Sequence, residues 1–135
     1  MATLALTDCY VELATIDYSS HFTSATIDYS TELLEDTAFG DTSRSRVAGL
    51  KEWTLTLELN LDYASSSIDS VLFPLVGTSV AIEIRPTSSA VSSSNPSYTG
   101  NAFLESYQPI NGSVGELATA SITFTGTGNL SRAES

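Results

Sequence analysis

A single histidine, His21, follows Ser19 and Ser20 and lies close in sequence to Asp17 and Asp28. On paper these residue types make a Ser–His–acid relay, in which imidazole takes the hydroxyl proton and a carboxylate orients the ring. No nucleophile-elbow sequence surrounds either serine, so His21 reads as a solvent-facing or turn-bracing residue. Glu35 and Asp36 are neighbouring carboxylates, whereas glycosidase chemistry needs two carboxyls across a cleft, one of them raised by burial. Asp17, Asp28 and Asp62 each precede a tyrosine, and none falls in the ligand spacing of a calcium loop. Gly126-Thr127-Gly128 lacks the preceding strand and following helix of a phosphate loop. Cys9 is the only cysteine, which excludes an intramolecular disulfide and a cysteine-based zinc site. These residues point away from an enzyme, and no metal or cofactor is expected.

The elements that must position any site are clearest in residues 50–77. Trp53, Leu55, Leu57, Leu59, Leu61 and Tyr63 fall on one parity, and Glu52, Thr54, Thr56, Glu58, Asn60 and Asp62 on the other. Alternate side chains of a strand point to opposite faces, so this is a long strand with one dry and one wet face. Trp53, on the dry face, reads as core and not as a sugar-stacking platform. The period then changes. Ile68, Val71, Leu72 and Leu75 form the stripe of an amphipathic helix over about 66–76. Ser66 and Asp69 resemble a capping box, and Pro74 with Gly77 closes the helix.

Around this pair the rest reads as strand and loop. Residues 1–9 form an N-terminal arm, and residues 10–16 and 22–30 are strands separated by a turn at Ser19-Ser20-His21. The string Ala-Thr-Ile-Asp-Tyr-Ser occurs at both 14–19 and 25–30, too short for a repeat architecture. Val80, Ile82 and Ile84 mark a strand that Pro86 stops, followed by a flexible polar loop up to Pro96. Residues 98–108 form a strand with Phe103 and Tyr107 on one face and a bulge at Gly100. Pro109-Ile110-Asn111-Gly112 is a turn. The last strand, 117–125, turns Ala118, Ala120, Ile122 and Phe124 inward, and 126–135 is a C-terminal tail. The expectation is mainly β: one domain over 1–135, an antiparallel β-sandwich or barrel with one flanking helix.

The 135 residues suffice to bury roughly two-thirds of the unfolded-chain surface. Five Lys and Arg against 16 Asp and Glu give a net charge of −11. A chain gripping nucleic-acid phosphates needs clustered basic residues, and so does one held on an anionic membrane. The N-terminus lacks a positive leader and a sustained apolar run, so synthesis in a cytoplasm and no membrane association are expected.

Charge separates along residues 32–51, the expected long projecting hairpin arm. Glu32, Glu35, Asp36 and Asp41 come first, around Phe39; Arg44, Arg46 and Lys51 return. Such an arm complements a copy of itself on a neighbour, so self-association is the leading expectation. The alternative is that Glu35, Asp36, Arg44 and Arg46 pair within the hairpin, where exposed ion pairs contribute at most about 1 kcal/mol each.

At these residues the sequence resembles a family, the major tail (tail tube) proteins of long-tailed bacteriophages, particularly those of actinobacteria. The resemblance rests on Ile16-Asp17-Tyr18-Ser19-Ser20-His21-Phe22, on Thr37-Ala38-Phe39-Gly40-Asp41 with Gly49-Leu50-Lys51-Glu52-Trp53, and on Leu72-Phe73-Pro74-Leu75. Residues 91–100 and 112–126 also match, in the family's order. It implies rings, hexameric in the family, stacked into a hollow tube, with residues 32–51 reaching the adjoining ring. It implies partners too: the chain itself, a tape measure, a tail terminator, baseplate components and transiting DNA that is not specifically bound. The location implied is a virion tail, assembled in a bacterial host cytoplasm. Acidic residues facing a lumen would repel passing DNA, and Glu52, Glu58 and Asp62 on the wet face are the candidates; otherwise they face outer solvent. A capsid-decorating or head-to-tail joining protein is a second reading, and a β-sandwich glycan-binding module a third.

Overall fold

The structure is a computed structural model, and it describes residues 7–14, 16–63 and 68–134. Among the described residues seven strands join in one antiparallel sheet: β1 (Tyr10–Leu13), β2 (Ile16–Asp17), β3 (Phe22–Glu35), β4 (Arg46–Asn60), β5 (Ser79–Arg85), β6 (Ser97–Ser106) and β7 (Thr119–Ala133). The spatial order is β2-β1-β5-β6-β7-β4-β3. A helix, α1 (Ile68–Leu75), connects β4 to β5.

β4 is the spine. Trp53, Leu55, Leu57 and Leu59 are buried, while Glu52, Thr56 and Glu58 are exposed, as period-2 alternation requires. Leu61 is still buried, but the strand ends at Asn60 and Tyr63, expected inward, is exposed. There the chain leaves the sheet to begin the helix. Ile68 and Leu72 of α1 are fully buried, with Val71 and Leu75 packed at the margin. The expected start at residue 66, and with it the Ser66–Asp69 capping pair, lies outside the described residues. At the other end Gly77 takes φ +83, a left-handed exit that glycine accepts without strain. Its N–H donates to the Leu104 carbonyl at 2.9 Å, which fastens the helix end to β6. The Tyr107 hydroxyl, donating to Asp69 Oδ1 at 2.5 Å, makes a second tie. Burial and that hydrogen bond push the Tyr107 phenol well above its usual range.

The sheet curls over its dry face. Ala25, Ile27 and Tyr29 of β3 line one side of a cleft of about 350 Å³; Ile84, Pro86, Tyr98 and Leu130 line the other. β3 thus faces β5, β6 and the last part of β7 across a shared core, giving the sandwich-like character expected of the sequence.

Several local expectations change. The strand expected over 10–16 breaks at Ala14, whose φ of 52 turns the chain back so that β2 pairs with β1. The two identical hexapeptides adopt different structures. Residues 25–30 run inside β3, whereas residues 17–19 lead into a 3₁₀ turn at Ser19–His21. Tyr18 is 8 % exposed and its counterpart Tyr29 52 %. Tertiary context, not the string, decides.

Gly100 does mark a bulge, with the β6–β7 register shifting between Thr99 and Asn101. Ala102 and Leu104 are the inward residues of β6, however, and Phe103 points largely outward. The polar loop before Pro96 is fixed by one side chain. Asn95, 6 % exposed, donates to the carbonyls of Ser89 and Ala90 at 2.9 and 3.2 Å and accepts from the Thr87 N–H at 3.0 Å. Burying an amide demands such partners, so the loop closes around it.

Residues 126–133, expected as a tail, continue β7 and pair with β6; Leu130 packs against the core. Gly126 explains the misreading. A Cβ there would lie 2.2 to 2.5 Å from Trp53 indole atoms, and one at Gly100 only 2.7 Å from the same ring. The indole occupies the space of two missing side chains, so this part of β7 lacks the apolar alternation of a strand.

Candidate self-assembly surfaces

Three features bear on association. The first is an edge. β3 pairs with β4 on one side, and its other side carries no strand among the described residues. Fourteen residues of extended backbone thus present unpaired donors and acceptors, a template for another chain.

The second feature is the arm. Beyond the Thr31–Lys51 pair, β3 and β4 continue alone as a hairpin to Glu35–Arg46, closed by residues 36–45. Neither limb there contains a buried residue. At the tip, Asp41 accepts from the Ala38 N–H through Oδ2 at 2.8 Å and donates its own N–H to the Ala38 carbonyl at 3.1 Å. Phe39 and Gly40 are the central turn residues, Gly40 at φ +95. Phe39 is therefore held outward on a defined turn, fully exposed. Arg44 pairs with Glu35 at 2.7 Å, so part of the charge separation is satisfied inside the hairpin. Arg46 and Lys51 make no ion pair among the described residues, and Glu32 lies against Gly49 on the opposite limb.

The third feature is the wet face of β4. Glu52 sits opposite Ser30, Thr54 between Asp28 and Thr125, and Glu58 between Ser24 and Ser121. Over residues 52–60 this face is a lawn of hydroxyls and carboxylates with no Lys or Arg. Asp28 and Glu105 belong to it as well, the latter accepting from Thr125 Oγ1 at 2.7 Å. Sequence reading missed both, because only cross-strand register places them there. Asp62 lies two residues past the end of β4, outside its regular alternation.

The residues considered for catalysis are otherwise engaged. Ser19 Oγ donates to Asp17 Oδ1, and accepts from the Val11 N–H at 2.8 Å. No hydrogen bond joins the His21 ring to either; it lies 6.4 Å from the Tyr18 ring. Glu35 and Asp36 are exposed on the arm. Among the described residues no cluster of His, Cys, Asp and Glu fits a metal. Cys9 is half-buried, and burial together with Asp8 raises its thiol pKa, so little thiolate forms near neutral pH.

Neither a protein-family model nor a curated protein matches the sequence. Solved structures do match the fold. A chain in the virion of a native gene transfer agent particle aligns with a TM-score of 0.75 over 97 % of this chain and 99 % of that one, at 14 % identity. The SPP1 tail tube aligns at 0.71 over 95 % and 77 %, with 12 % identity. The tail of an empty gene transfer agent particle, of C6 symmetry, aligns at 0.66 over 82 % and 81 %, with 14 % identity. The fold is the one found in these chains of a virion, a tail tube and a tail.

Proposed function

We propose that the chain is a structural subunit of a phage-type tail tube, assembled as six-membered rings that stack into a conduit for DNA. The observation that carries this reading is the open edge of β3, 14 residues long, whose last residues form one limb of an arm with no buried residue. A monomer leaves both unused; a ring that pairs β3 with a neighbour's sheet removes the edge as a closed barrel would. Agreement in fold with subunits of a tail tube and of a six-fold symmetric tail supports it. The particle's location would be the tail of a virion, with tape measure, terminator and baseplate proteins as further partners.

Negative-stain microscopy of the purified chain tests the proposal. Rings or tubes with a central hole are expected as concentration rises; a protein still monomeric at high concentration would refute it.

The wet face of β4 is placed on the lumen in this reading. Glu52, Glu58, Asp28 and Glu105 would repel phosphates and let a genome slide without adhering. In particles carrying Glu52→Lys with Glu58→Lys, tubes should assemble at normal length. DNA ejection should slow about tenfold or more at low salt and recover as salt rises, because phosphate contacts weaken steeply with ionic strength. Unaltered ejection would put this face on the outside.

A further inference from the structure

The strand registers gather the basic side chains at one end of the molecule, among the carboxylates of Glu32, Glu35, Asp36, Asp41 and Glu83. Arg46 and Lys51 lie in the first part of β4, Arg44 in the hairpin loop, Arg85 at the end of β5 and Arg132 near the end of β7. Arg132 is opposite Tyr98, and Tyr98 is opposite Ile84, so the latter two arginines share the arm's end of the sheet. All five basic residues of the chain are therefore on one side. The far end is built from the close of β4, residues 107–118 and the start of β7, where Thr119 pairs with Asn60. It carries Asp62, Asp69, Glu105 and Glu116 and no Lys or Arg.

That far end also exposes apolar side chains. Ile110 is 88 % exposed, Leu117 70 %, and Val114 fully. They stand on a braced segment. Tyr63 Oη donates to the Pro109 carbonyl at 2.6 Å, Asn111 Nδ2 to the Thr119 carbonyl at 3.0 Å, and the Leu61 N–H to the Ala118 carbonyl at 3.0 Å. Three exposed apolar residues on a fixed support suit Phe39 on its turn, and the carboxylates beside them suit Arg46, which makes no ion pair among the described residues whereas Arg44 is held by Glu35. A strand rise of roughly 3.3 Å per residue carries the arm about 20 Å past the Thr31–Lys51 pair, out of reach of its own far end.

We propose that the 107–118 end is the acceptor for the arm of a second copy, with Phe39 seated among Ile110, Val114 and Leu117 and Arg46 facing Glu116. The contact joins opposite ends of identical chains, so along the stacking axis it repeats without closing and gives stacking a fixed direction and no built-in length. It rests on the tube reading and adds the receiving surface to it.

Disulfide trapping tests it in the full chain. In a Cys9→Ser background, Phe39→Cys with Val114→Cys should form tubes that on mild oxidation give a ladder extending past six chains; neither single variant should. Because losing Phe39 can itself impair stacking, a charge exchange keeps Phe39 in place. Arg46→Glu should raise the concentration needed for tubes at least tenfold, and adding Glu116→Arg should restore it. Tubes without the ladder, or no restoration by the exchange, overturn the acceptor while leaving the tube reading intact. A native chain that never assembles overturns the tube reading itself.

Discussion

With residues 35–46 replaced by Asn-Gly, the chain remains a folded domain and ceases to form tubes. Leu34 and Val47 are directly paired, so the two new residues close the hairpin as a short turn whose twist suits the strands. The excised segment holds no buried side chain and one exposed ion pair, Arg44–Glu35. Its removal should therefore alter unfolding free energy by no more than about 1 kcal/mol, with far-UV circular dichroism unchanged. Assembly responds on another scale. Burying one phenylalanine contributes roughly 2 kcal/mol, so six tips between two rings amount to the order of 10 kcal/mol. Light scattering and microscopy should show monomers or isolated rings at concentrations where the native chain is fully polymeric. Long tubes from the shortened chain would mean that stacking runs through another surface.

Much of this organisation is legible in the residues, and the exceptions have physical causes. A half-buried strand writes its own period, which is why Trp53 to Leu59 announce β4 and Val80 to Ile84 announce β5. The helix stripe of Ile68, Val71, Leu72 and Leu75 is equally plain. The extension of β7 through Ala133 is hidden, because Gly126 yields its side-chain space to an indole more than 70 positions away in sequence. Asn95 is hidden for a related reason. A polar residue in a polar loop gives no sign of burial until the carbonyls it serves are seen around it. The matching hexapeptides show the limit from the other side, since one string supplies both a strand interior and a turn.

The association surfaces divide in the same manner. Charge order along residues 32–51 suggests a projecting arm, but the ion pair that settles part of that charge depends on the Glu35–Arg46 register. Alternation separates the wet face of β4 from the dry one without saying what the wet face meets. Asp28 and Glu105 join it only through pairing with β4 and β7. Ile110 reads as a turn residue and Leu117 as the start of the last strand, and no period links either to Val114; the braced end of the fold is what brings them together.

The contact between Trp53 and Gly126 carries the other large effect, and the sign of one substitution should depend on the other residue. Trp53 is 1 % exposed, and Trp53→Ala should cost about 3–5 kcal/mol, the range for deleting a large buried aromatic. Set against a total of some 5–15 kcal/mol for a domain, that leaves the variant near the edge of folding. Gly126→Ala in the native chain forces a methyl to within 2.2 Å of the indole, so ring or strand must move, at a cost of about 1–3 kcal/mol. In the Trp53→Ala background the obstacle is gone. Alanine then restricts the unfolded chain more than glycine does and should stabilise by about 0.5 kcal/mol. Urea unfolding of the four proteins gives the cycle, with a coupling of at least about 1.5 kcal/mol expected. Additive effects would mean that the indole does not rest on Gly126, and β7 would then need another reason to carry a glycine there. If the coupling is found, this glycine keeps Trp53 seated where β7 parts from β4 and the hairpin begins to stand alone.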